Sequence, residues 1–140
     1  MSSIFLILLL IILIILSGFL SGSETAITAT SKARILYKKK KGSKRAVYVL
    51  ELLDKKDNVI SSLLLSNNLV NILASSLATA FFYDIFGVEG IFYATLIMTI
   101  VIVIFAEVLP KTFAINRPNR TALLIAPIIY YLNKILFIFV

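Results

Sequence analysis

The chain has 140 residues, 60% of them hydrophobic, and 14 Lys and Arg against 7 Asp and Glu give it a net charge of +7. That is more apolar surface than one soluble core can hide, so part of its solvent is lipid. It contains no Cys, His or Trp, which excludes disulfides, thiol nucleophiles, imidazole bases and the usual zinc and copper ligands. A metal held here must accept oxygen.

The first element is the run from Ile4 to Leu20, almost all Ile, Leu and Phe and long enough to cross a bilayer core of roughly 30 Å as a helix. No basic residue precedes it, while Lys32, Arg34 and Lys38 to Lys41 follow. That charge order is the reverse of a secretory signal and places the amino terminus outside, with a first span over 4–22. Ten of the 14 basic residues fall between Lys32 and Lys56. The segment 32–58 is therefore read as cytoplasmic, lying along the inner surface of the plasma membrane against anionic headgroups and not against nucleic acid.

A second span, 59–82, returns outward, and the stretch from Tyr83 to Glu89 carries only acidic charges, Asp84 and Glu89, as an external loop does. A third span, 90–110, runs inward and ends at Pro110, with Lys111, Arg117 and Arg120 behind it. The last segment, 121–140, is apolar but holds Pro127, Tyr130, Tyr131 and Lys134. Two readings are open, a fourth span or a pair of short interfacial helices kinked at the proline, and the second is favoured. The apolar run is still continuing at Val140, as expected of a piece of a longer protein. The expectation is one transmembrane domain over 1–140: an all-α membrane protein with three transmembrane helices and short juxtamembrane helices.

Polar groups at membrane depth are costly unless they face protein, water or an ion, and they point to function. Three clusters stand out. The first is Ser17, Gly18, Ser21, Gly22, Ser23 and Glu24. Gly18 and Gly22 form a small-xxx-small pair that lets another helix approach closely, and Ser21 with Glu24 forms a capping-box pattern, so a helix break near Gly22 is expected. The second cluster, Asn67, Asn71 and Ser75, lies on one helix face at four-residue spacing. Such a stripe serves interhelical hydrogen bonds worth about 1 kcal/mol or less each, or two amide oxygens gripping one small cation.

The third cluster is Glu107 before Pro110. In an α-helical register Pro110 deprives the Ala106 carbonyl of its donor, so one turn offers a carboxylate and a free carbonyl, ligands that suit Mg²⁺, Ca²⁺ or Na⁺. An ion pair of Glu107 with Lys111 is the plainer account of that turn alone. No nucleophile with a base and no acid–base pair is present, so an enzyme is not expected.

Ser-Gly-Ser-Glu-Thr-Ala at 21–26, Asn-Asn-Leu-Val-Asn at 67–71 and Ala-Glu-Val-Leu-Pro-Lys at 106–111 together resemble the transmembrane module of the CorC and cyclin M (CNNM) family of magnesium transporters. The resemblance covers essentially the whole chain. It implies a homodimer of three-span subunits, with Mg²⁺ bound by Ser21, Asn67, Asn71 and Glu107 and by a backbone carbonyl, that of Ala106, where the family often has Gly. It also implies Mg²⁺ export in exchange for Na⁺, and cytosolic CBS-type domains beyond the residues present. A membrane Mg²⁺ sensor or scaffold that transports nothing and biases attached cytosolic domains is the alternative.

Overall fold

The computed structural model describes residues 3–139, and side chains over 3–136; Val140, where the apolar run was still continuing, lies outside the described residues. The described chain is all helix. α1 spans Ser3–Ala29, α2 Lys32–Lys40, α3 Lys44–Asp54, α4 Lys56–Phe86 and α5 Val88–Val101; a π-helical segment, Ile102–Val108, leads into α6, Leu109–Asn116, and α7 spans Pro118–Phe139. Among the described residues three stretches are long and apolar enough to cross a membrane: α1, α4, and the continuous rod Val88–Asn116 built from α5, the π segment and α6. α1 shows why lipid is needed. Ile4, Ile12 and Ile15 are 73%, 60% and 66% exposed, while Leu13, Ser17, Gly18 and Ser21 on its other side are buried.

Three expectations change. α1 is unbroken through Gly22 and continues to Ala29. Its glycines are used for close approach to another helix, and Ser23 and Thr28 bond back to the Phe19 and Glu24 carbonyls within the helix. The third span does not stop at Pro110 but passes through it to Asn116, because the π turn absorbs the proline. The final segment is one helix, with Pro127 inside it.

The expected external loop is also shorter: α4 runs on to Phe86, leaving Gly87 as the corner. Gly87 has φ +74° and its N–H donates to the Tyr83 carbonyl at 2.8 Å, a helix ending that favours glycine. Gly90 lets the helices touch there, since a Cβ on it would lie 2.2 Å from the Phe82 carbonyl oxygen. Phe82, Phe86 and Tyr93 stack around the corner, as aromatic side chains do at membrane surfaces.

At the opposite end, α2, α3 and α7 wrap the ends of the spans beside the basic segment. Ser31 caps α2 and Ser43 caps α3, and Gly42, φ +93°, makes the turn between them. Asn119 Oδ1 accepts from both the Thr30 hydroxyl and the Ser31 N–H at 2.7 Å, which ties the start of α7 to the end of α1. Thr121, Ala122, Ile125, Ala126, Ile129 and Asn133 form the buried face of α7, an amphipathic pattern. They meet Leu20 and Ile27 of α1, Val49 and Leu52 of α3, and Val59 and Leu63 of α4 in one large core. A second, smaller core of Leu13, Ala74, Ala78 and Met98 joins the halves of the spans nearer the Gly87 corner.

Candidate functional site

The polar residues of α1 and α4 meet between these two cores, and Val70, beside Asn71, packs against both. Ser17 and Ser21 are one turn apart on α1; Asn67 and Asn71 are one turn apart on α4, so two helices present two pairs to each other. Ser17 Oγ lies 2.5 Å from Asn67 Oδ1 and 2.6 Å from Asn71 Oδ1. Asn67 Nδ2 donates to Ser21 Oγ at 2.9 Å, which holds the amide with its oxygen toward Ser17. Ser17, Ser21 and Asn67 are almost fully buried, and Asn71 opens onto a groove of about 510 Å³ along Ser75 and Thr79.

The arithmetic of protons is informative. A hydroxyl has one hydrogen to donate; with both amides turned oxygen-first toward Ser17, one of the two contacts has no proton between its oxygens, an arrangement that turning the Asn71 amide over would relieve by donation from its nitrogen. Oxygens brought together in this way attract a cation. Adjacent oxygens around a Mg²⁺ held at about 2.0–2.1 Å sit about 2.9 Å apart, so the two Ser17 contacts need to lengthen by about 0.3–0.4 Å to admit one.

The rod carrying Glu107 meets α1 at the same level. A Cβ on Gly18 would stand 3.1 Å from Pro110 Cγ and 3.3 Å from the Phe105 carbonyl oxygen, and one on Gly22 would be 3.5 Å from Pro110. The two glycines thus carry the packing role expected of them. In the π register each N–H reaches back five residues, as Leu109 does to the Ile104 carbonyl. In that register the missing N–H of Pro110 leaves the Phe105 carbonyl without its five-back donor. Ala106 is fully buried beside Gly18, and it is the Phe105 oxygen that faces the glycine.

Of the residues expected from sequence, Ser21, Asn67 and Asn71 come together directly. Glu107 is half-buried in the π segment; it makes no hydrogen bond to the cluster and, among the described residues, no ion pair with Lys111. Ser17 was not expected as a ligand, although its four-residue spacing from Ser21 was the available signal. It, and not Ser21, touches both amide oxygens, because Ser21 is occupied by the Asn67 amide nitrogen. Asn68, next to Asn67, is exposed on the far side of α4. Among the described residues no three acidic side chains cluster, so neutral oxygens dominate the donor set.

Comparison with known proteins agrees with this architecture. The chain is 39% identical over 131 residues to the UPF0053 inner membrane protein YfjD of Escherichia coli, a match covering 86% of this chain and 31% of that protein. It is 36% identical over 137 residues to a UPF0053 protein of Haemophilus influenzae, covering 98% of this chain and 32% of the other. A putative DUF21 domain-containing chloroplastic protein of Arabidopsis thaliana is 28% identical over 122 residues, 87% of this chain and 18% of its own length. The chain thus spans about a third of the bacterial relatives it matches. Residues 8–140 match the family described as the cyclin M transmembrane N-terminal domain, and this multi-pass membrane chain belongs to that family.

Proposed function

We propose that the chain is the ion-handling membrane module of a magnesium transporter, and that Ser17, Asn67, Asn71 and Glu107, with a backbone carbonyl of the π turn, bind the cargo ion. The observation that carries this reading is the meeting of Ser17 Oγ with two amide oxygens at 2.5 and 2.6 Å, with one proton among them. Ser21 supports the site by orienting Asn67. One carboxylate and several neutral oxygens balance Na⁺ but leave Mg²⁺ with an uncompensated positive charge. Binding of Mg²⁺ is accordingly weak, and weak binding favours release and exchange with Na⁺ at the same oxygens. The direction we assign is Mg²⁺ efflux coupled to Na⁺ entry.

The basic belt supports an amino terminus outside and α2 and α3 in the cytoplasm. The Escherichia coli relative is called an inner membrane protein, which supports an inner, plasma-membrane location for this chain. The working unit is a homodimer, which covers part of the apolar surface of α4 and α5 that one subunit leaves open.

The test is Mg²⁺ flux in proteoliposomes with and without a Na⁺ gradient. Glu107→Gln is expected to abolish flux and leave the helical content and dimer intact, and Asn71→Ala to reduce Mg²⁺ affinity more than Asn68→Ala. Normal flux in Glu107→Gln sinks the site assignment. Binding of Mg²⁺ by the wild-type protein without any flux selects a membrane sensor or scaffold instead.

A further inference from the structure

A second polar feature lies outside the ion site, in the belt. Between the end of α3 and the outer part of α7 is a pocket of about 230 Å³ lined by Glu51, Leu52, Lys55, Tyr130, Asn133 and Lys134. Its two lysines come from the turn between α3 and α4 and from α7, and Lys134 Nζ stands 5.5 Å over the Tyr130 ring. Tyr130 is braced in turn by Tyr48, 5.0 Å away between ring centres. Asn133 is 9% exposed, and its Oδ1 has no hydrogen-bond partner among the described residues. A buried amide oxygen left unpaired is destabilising; the Oδ1 is closed off as the side chain stands, and a rotation of the Asn133 amide toward the pocket it lines would let an N–H or O–H donor there relieve it. On its other side Asn133 borders an apolar seam of Val59, Leu63, Ile129, Leu132 and Leu136, so it marks a boundary between polar and hydrocarbon surroundings.

We propose that this pocket binds the headgroup of an anionic phospholipid that carries a free hydroxyl, of the phosphatidylglycerol type. Lys55 and Lys134 take the phosphodiester, and a headgroup hydroxyl donates to Asn133 Oδ1 or Glu51. Charge selects this class. Two lysines and one glutamate leave the pocket at +1, which a phosphodiester with a neutral hydroxyl head cancels; an ethanolamine head brings its own cation and leaves the excess unmatched. Inorganic phosphate lacks the apolar tail that the adjoining seam suits. The proposal rests on α3 and α7 lying at the bilayer surface and is independent of magnesium handling, since its readout is lipid retention.

The test uses delipidated full-length protein in detergent, titrated by native mass spectrometry with phosphatidylglycerol, phosphatidylethanolamine and phosphatidylcholine, and with glycerol phosphate as the lipid-free probe. The expected result is selective retention of phosphatidylglycerol. Lys55→Gln with Lys134→Gln should weaken it about tenfold or more, as expected for two basic residues at a lipid surface. Lys55→Arg with Lys134→Arg should keep it, and replacing Lys38 to Lys41 by Ser should leave it unchanged. Equal retention by the Gln pair, equal affinity for phosphatidylethanolamine, or equally tight binding of glycerol phosphate alone overturns the proposal.

Discussion

Two prolines sit inside helices of this chain, and they are treated in opposite ways. Pro127 in α7 withholds a donor from the carbonyl four residues back, Leu123. Arg45 of α3 supplies the replacement, its Nη1 donating to the Leu123 and Leu124 carbonyls at 3.3 and 3.0 Å. Pro110 in the third span withholds a donor from the Phe105 carbonyl, and what faces that oxygen is Gly18, which has nothing to donate with a side chain. In the belt the defect is repaired by a neighbouring charge and the helix stays α. At the membrane site the defect is kept and the helix widens to a π turn. A backbone fault that is repaired serves architecture; one left open beside a glutamate and a cluster of oxygens is material for an ion site.

The strongest way to break this contrast is Pro110→Ala, which restores an N–H to the turn. Mg²⁺ flux is expected to fall about tenfold, a loss of about 1.4 kcal/mol in transition-state stabilisation, with the fold retained; undiminished flux would remove the π turn from the mechanism. Gly18→Ala comes next. Its Cβ must press on Pro110 and on the Phe105 carbonyl, and overpacking of this kind costs about 2 kcal/mol, read as a lowered thermal unfolding midpoint in detergent. Arg45→Ala leaves the Leu123 carbonyl without its donor at an exposed position, for a loss of about 1 kcal/mol. In a Pro127→Ala background, where residue 127 donates instead, that loss should shrink by half or more; a double-mutant cycle with no coupling would refute the repair. Gly22→Ala meets Pro110 at ordinary contact distance and should change stability by less than about 0.5 kcal/mol.

Much of this was legible in the residues. Three spans followed from apolar length and the placement of lysines, and Asn67, Asn71 and the Gly18–Gly22 pair followed from helical spacing, because each rests on local periodicity. What the residues did not disclose is the register change. Whether Pro110 ends a helix, kinks it or is absorbed by a π turn depends on what packs against it, and here that is Gly18 from a helix some ninety positions away. The same long-range fact brings the Phe105 carbonyl into account beside that of Ala106. Ser17 was hidden for a related reason, since Ser17 and Ser21 look alike until Asn67 turns its nitrogen to one and its oxygen to the other. The capping-box pattern at Ser21 and Glu24 misled because the chain there never leaves helical geometry.

At the hairpin corner, the bare Gly90 backbone rests on Phe82, which brings the second and third spans into close backbone approach at their shared tip. Asn67 and Asn71 lie on one rod, α4, and Ser17 on another, α1. A displacement of α1 along or away from α4 would therefore lengthen both of the Ser17 contacts together, because one hydroxyl serves both amides.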